Sequence, residues 1–169
     1  MSAVAPLPFA PAAVVFDMDG LMLDSERAIT DCMVRAAEET GHALPPSLWL
    51  ELIGSAEDAC RERLAGLLGA GPADALLARA DALYETVVDA GVPHRPGIVP
   101  LLDWLERHAL PRAVATSTRR PLALRKLRRA GLLERFHAVC TSSDVARPKP
   151  APDVYLLAAR RLGVAPARC

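Results

Sequence analysis

An α/β fold, a doubly wound parallel sheet interrupted by a helical insert, is what this sequence predicts. Three observations carry the prediction. The run Ala12-Ala13-Val14-Val15-Phe16 is continuously apolar and ends at an acidic pair, the pattern of a strand buried on both faces. Two more short apolar runs, 113–116 and 138–140, alternate with helix-period segments in the second half of the chain. Such alternation implies right-handed crossovers and a parallel sheet. Between these regions, roughly residues 25 to 91 show helical periodicity and no convincing strand.

Composition bounds the possibilities. The chain has 169 residues, enough for one compact domain or a small domain carrying an insert. It is 51% hydrophobic and 24% charged, which excludes a mainly disordered chain. Twenty basic residues balance twenty acidic ones, so no overall field draws the protein to nucleic acid or an anionic membrane. No apolar run approaches the ~20 residues of a membrane span. The uncharged segment 1–16 lacks the basic start of a signal peptide and reads as a tail feeding the first strand. Cys32, Cys60, Cys140 and Cys169 are widely spaced with no CxxC, which argues against a zinc site or disulfide frame and for a reducing cytoplasm. Of the twenty basic residues eighteen are arginine, and the lysines are Lys126 and Lys149.

The elements follow in order. After the first strand, Ile29, Cys32, Met33, Ala36 and Ala37 share one helix face, and Gly41 is a natural stop. The chain turns around Pro45-Pro46. Ser55 and Asp58 have capping-box spacing ahead of a stripe of Cys60, Leu64, Leu67 and Leu68. Gly69 to Pro72 breaks that stripe, and Leu76, Leu77, Ala80, Leu83, Tyr84, Val87 and Val88 make a third. From Pro93 the pattern changes to helix (Ile98, Leu101, Leu102, Leu105), strand (Ala113 to Thr116), helix (Leu124, Leu127, Ala130), strand (Ala138 to Cys140) and helix (Val154, Leu157, Ala158, Leu162). The expected division is a core of residues 1–22 plus 93–169 and a helical insert of 23–92. Ligands of open α/β sheets bind beyond the carboxyl ends of the strands, so an insert leaving right after strand one suits a lid.

Chemistry-bearing residues gather at those strand ends. Asp17 and Asp19 stand at positions i and i+2, which face one side if the backbone stays extended. The pair suits a solvated turn, since Asp and Gly are common there. It equally suits a Mg²⁺ site with a nucleophilic carboxylate and an acid/base carboxylate, and Gly20 allows the sharp turn that follows. Thr116, Ser117 and Thr118 precede a helix, where hydroxyls and free amides hold an anion or Thr118 caps the helix. Lys149, flanked by Pro148 and Pro150, is either an exposed loop lysine or a point charge for a carboxylate–phosphate cluster. Arg119, Arg120, Arg125, Lys126, Arg128 and Arg129 read as a solvated outer face, not a nucleic-acid patch, because no aromatics interleave. Ser142, Ser143 and Asp144 cap a turn or rim the site, and Trp49 and Trp104 read as packing residues.

Three segments in order, VVFDMDGLMLDSE (14–26), AVATST (113–118) and RPKPAPDVY (147–155), resemble the haloacid dehalogenase-like (HAD) hydrolase superfamily. The likeness is to the branch of β-phosphoglucomutase, phosphoglycolate phosphatase and small sugar-phosphate phosphatases. The resemblance implies a Rossmann-like core with an inserted α-helical cap, hinged near Asp24 and Pro93. It makes Asp17 the nucleophile and Asp19 the general acid/base. Asp17 and the backbone carbonyl of Asp19 become Mg²⁺ ligands, and Thr116, Ser117 and Lys149 the phosphate-binding residues. The implied activity is hydrolysis of a small phosphorylated metabolite, of sugar-phosphate or phosphoglycolate type, through an aspartyl-phosphate. A phosphosugar mutase is the first alternative, and Ala56, where the mutases carry arginine, argues against it. An impaired binding or regulatory fragment is the second. The family's fourth, acidic motif is not found before Cys169. A truncated chain with C-terminal strands missing is therefore expected, binding Mg²⁺ weakly and self-associating at an open sheet edge, whereas its parent is a cytoplasmic monomer.

Overall fold

The computed structural model describes residues 10–52 and 57–169. The tail before residue 10, and Ser55 and Ala56 with the capping box and the mutase argument that rest on them, lie outside the described residues. The chain divides into two units, one of residues 1–23 and 94–169, the other of 24–93.

In the first unit, β1 (Val14–Phe16), β2 (Arg112–Ala115) and β3 (Ala138–Cys140) form a parallel sheet in the order β1-β2-β3. Val14 pairs with Arg112, and Ala113 with Ala138. The central β2 is buried along its whole length. It begins one residue earlier than its apolar run and so buries Arg112, whose guanidinium donates to Glu106 at 2.7 Å and to the Leu110 carbonyl at 3.2 Å. β1 departs from the expected strand buried on both faces: Val14 and Val15 are half-buried and only Phe16 is closed off. Among the described residues β2 is the one strand paired with β1, and a strand with one neighbour has less cover. The helices of this unit are α5 (Ile98–Arg107), α6 (Arg120–Arg129) and α7 (Asp153–Leu162). Gly163 closes α7 at φ +68°, in the left-handed region that glycine adopts freely. Trp104, read as a packing residue, stacks on His108 at 4.0 Å but is 45% exposed.

The second unit is helical: α1 (Ser25–Glu39), α2 (Pro46–Leu52), α3 (Glu57–Leu68) and α4 (Ala70–Ala90). Its core joins Cys32, Met33, Ala36, Leu48, Trp49, Leu64, Ala73, Leu76, Ala80 and Leu83. The break expected at Gly69 to Pro72 falls at Gly69, between α3 and α4, and the turn expected around Pro45-Pro46 ends as α2 opens. Pro46 is the first residue of α2 and Pro72 lies in the first turn of α4. In that turn an amide has no intrahelical partner to lose, so proline is tolerated there. Ile29 and Leu67, expected on inward stripes, are exposed. The chain leaves the core at Leu23 and returns at His94, and these two residues are bridged antiparallel. No described helix is long and apolar enough to cross a membrane.

Candidate active site

The residues after the three strands come together in pairs. Asp17 directly follows β1, and its Oδ1 accepts a hydrogen bond from Lys149 Nζ at 2.8 Å. The same ammonium donates to the Ala115 carbonyl at the end of β2, at 3.0 Å, and lies 4.7 Å from the Tyr155 ring centroid. Lys149 thus links the ends of β1 and β2 from the segment leading into α7. Burial opposes its charge, but hydrogen bonds and charge from Asp17 and Tyr155 outweigh that, and its pKa stands above the ordinary lysine value.

Met18 is fully buried between the two half-buried aspartates, as alternation in an extended segment requires. The chain then turns back on itself: the Gly20 amide donates to the Leu23 carbonyl at 2.9 Å, and the Met22 and Leu23 amides donate to the Met18 carbonyl. Gly20 sits at φ +74° in this turn, where a side chain would be strained. Met22 and Leu23 are fully buried and fix the turn to the core.

Asp19 is held from α6, which sequence reasoning missed. Lys126 Nζ donates to Asp19 Oδ1 at 2.8 Å, and the Thr118 hydroxyl donates to Asp19 Oδ2 at 2.7 Å. Lys126 is 4% exposed, so it does not belong to the solvated basic face expected of this helix. Two signals pointed inward. Lys126 is one of only two lysines, and it falls three residues after Ala123 and one before Leu127, both fully buried. Thr118, expected as a possible cap, is engaged by Asp19; the N-cap position of α6 is Arg119, which gives no side-chain cap, and the Arg120 amide donates to Ser143 Oγ at 3.1 Å.

Thr116 is 1% exposed; its Oγ1 accepts from the Thr118 amide at 3.1 Å and its own amide donates to the Cys140 carbonyl at 3.0 Å. Ser117 is exposed beside it. Behind β3, Thr141 and Asp144 form a reciprocal capping box. Asp144 also receives Arg120 at 3.0 Å and Arg161 at 3.4 Å. Burial pushes the Asp144 carboxyl up, but hydrogen bonds from the Thr141 hydroxyl and amide and the two arginines hold it below the ordinary carboxylate value.

Asp17, Asp19, Thr116, Thr118, Lys126 and Lys149 therefore all belong to the one unit, at or just beyond the ends of β1 and β2, on α6, or in the segment leading into α7. A hard divalent cation suits the oxygen-only donors here, the Asp17 carboxylate and the Asp19 carbonyl. Among the described residues no cluster of three His, Cys, Asp or Glu side chains is placed to hold a metal. A cation on two protein oxygens would complete its shell with water and substrate phosphate, as Mg²⁺ commonly does.

Known proteins share this arrangement of chain. The phosphorylated carbohydrates phosphatase of Thermotoga maritima is 31% identical over 158 residues, which cover 91% of this chain and 72% of that protein. The β-phosphoglucomutase of Bacillus subtilis is 29% identical over 168 residues, 93% of this chain and 72% of that one. Among solved structures, a HAD-superfamily hydrolase of subfamily IA from Geobacter sulfurreducens superposes with a TM-score of 0.75 at 28% identity, covering 94% of this chain and 76% of that one. The family model of the haloacid dehalogenase-like hydrolases matches residues 11–169, and the chain belongs to that family, in the branch of the β-phosphoglucomutases and small phosphatases.

Proposed function

We propose that the protein is a Mg²⁺-dependent phosphatase of small phosphorylated metabolites, sugar phosphates foremost, working through an aspartyl-phosphate in the cytoplasm. The observation that carries this reading is the Lys149 bridge. It sets an ammonium against one oxygen of Asp17, while Oδ2 of the same carboxylate accepts no hydrogen bond among the described residues. A carboxylate with one oxygen neutralised and the other open can approach a phosphate dianion with less repulsion. The phosphatase named for phosphorylated carbohydrates supports the substrate class.

In the proposed reaction an oxygen of Asp17 attacks phosphorus and the bond to the bridging oxygen breaks. Asp19 gives that oxygen its proton. Asp19, now a carboxylate, takes a proton from water as the water attacks the phosphorus. The bond to Asp17 breaks, inorganic phosphate leaves, and both aspartates return to their starting states. Thr116 and Ser117 contribute donors to the phosphoryl oxygens and Lys149 offsets their charge. Mg²⁺, held by the Asp17 carboxylate and the Asp19 carbonyl, would neutralise charge between carboxylate and phosphate. The helical unit inserted after β1 serves as the cap that excludes water until substrate is seated.

Asp17→Asn tests the covalent step. It should abolish phosphate release from a panel of sugar phosphates, and acid quenching with labelled substrate should trap phosphoprotein in the parent and none in the variant. Turnover retained in a clean Asp17→Asn preparation rejects the mechanism.

A further inference from the structure

The mechanism uses Asp19 as acid and base but gives no role to the two groups that hold it. A working acid/base must offer one oxygen to the leaving group, yet here both carboxylate oxygens are engaged. One of the two bonds has to yield when substrate arrives, and the structure distinguishes them. Lys126 rises from α6 at 4% exposure, between fully buried Ala123 and Leu127. Releasing the carboxylate from that ammonium would break a buried ion pair, a costly change. Thr118 lies in the coil between β2 and α6 and is half-buried. Its hydroxyl is neutral, and a rotation of χ1 re-aims it at small cost.

We propose that Lys126 is the positioning residue for Asp19, a fixed anchor on Oδ1, and that the Thr118 hydroxyl holds on Oδ2 the place taken by the bridging oxygen of a phosphate ester. In the resting protein the hydroxyl donates to Oδ2 at 2.7 Å, close to the separation a leaving oxygen adopts when it receives a proton. The bond from Lys126 persists through the cycle and fixes the direction in which Oδ2 points, while the bond from Thr118 is given up as substrate enters: Oδ2 takes a proton from solvent and hands it to the leaving oxygen. Lys149 and Lys126 thus have different tasks, one toward the nucleophile and the other toward the acid/base. The inference rests on the role of Asp19 proposed above.

The test compares two substrates and two readouts. A sugar phosphate leaves as a poor alkoxide and needs the proton of Asp19; 4-nitrophenyl phosphate leaves well without it. Lys126→Met keeps the length of the stem and removes the charge. It should cut kcat on the sugar phosphate by roughly 10- to 100-fold and on the aryl phosphate by at most about 3-fold, with KM within about 2-fold for both. Thr118→Val, which removes the exchangeable partner, should lose less than Lys126→Met on the sugar phosphate. A crystal structure of Lys126→Met should show the Asp19 carboxylate in a different rotamer. Should that variant not fold, Lys126→Arg, which keeps charge but not length, should give an intermediate loss on the sugar phosphate alone. Equal losses on the two substrates, an unmoved Asp19 carboxylate, or a larger loss from Thr118→Val each overturn the proposal. Asp17→Asn is assayed alongside: if it stays active the mechanism itself has failed, and if it is dead while Lys126 variants affect both substrates alike, only the role of Lys126 falls.

Discussion

The two units of this chain spend their charges in opposite ways. Among the described residues of the helical unit, the ion pairs Arg27–Asp31, Arg35–Glu39, Arg79–Glu39, Arg63–Glu51 and Arg61–Asp74 join exposed or half-exposed side chains over an apolar core. The sheet unit has surface pairs too, such as Arg147–Asp153, but it also draws charges inward, with Arg112 and Lys126 buried and Lys149 and Asp144 largely covered. Exposed pairs contribute little to stability, whereas covered ones fix geometry and are costly to break. The helical unit is thus held by packing and free to vary its surface. The sheet unit accepts desolvated charge to hold carboxylates at its strand ends.

That contrast can be broken or sharpened by substitution. The largest effect is expected at Asp19→Asn, which keeps an oxygen for Lys126 but cannot cycle a proton. Sugar-phosphate turnover should fall by roughly two to four orders of magnitude, and the Tm should fall as well because buried Lys126 loses its charged partner, as paired kinetics and calorimetry would show. Next comes Leu76→Ala, which opens a hole in the helical core where the side chain is fully buried. It should lose roughly 2–5 kcal/mol in urea unfolding. If stability were unmoved, packing would not be what holds this unit. Asp144→Asn should be milder, roughly 1.5–3 kcal/mol at neutral pH, because two arginines lose a charged partner. The folded-state pKa of Asp144 is depressed, so its contribution is full above the ordinary value of 3.8 and fades as pH falls below it. The difference between parent and variant should therefore close in strong acid, and a gap that persists there would show that the charge is not its source. The smallest effect is expected at Glu39→Ala, which severs two surface pairs at once. Its Tm should stay within about 2 °C of the parent, and a larger drop would erase the distinction between the units.

Much of the sheet unit was legible because its signals are local. Short apolar runs marked the strands, and residues just past them had to lie at the carboxyl ends where parallel sheets bind ligands. Asp17 and Thr116 were placed at strand ends that way, and Lys149 was singled out by its flanking prolines and the rarity of lysine. Lys126 was not, because basic residues on a helix ordinarily face water. Only its place beside Ala123 and Leu127 and the rarity of lysine pointed the other way. Thr118 was read as a cap because the sequence does not reveal the competing acceptor, Asp19, 99 residues away. In the helical unit periodicity located faces but not what covers them, so Ile29 and Leu67 were assigned inward and lie outward. Pro46 reads the same whether it ends a turn or begins a helix, and only the three-dimensional path separates the two.

Eighteen arginines and two lysines give this chain a built-in reporter. Each side-chain amine faces one of the two strand-end aspartates. Amine-selective chemistry therefore finds the site almost by default: a reagent that ignores guanidinium has only Lys126, Lys149 and the chain's own amino end to choose from. Lys149, with 20% of its side chain exposed, should be labelled well ahead of Lys126 at 4%. Isotope-labelled lysine would likewise give two side-chain resonances, one sensing Asp17 and the other Asp19.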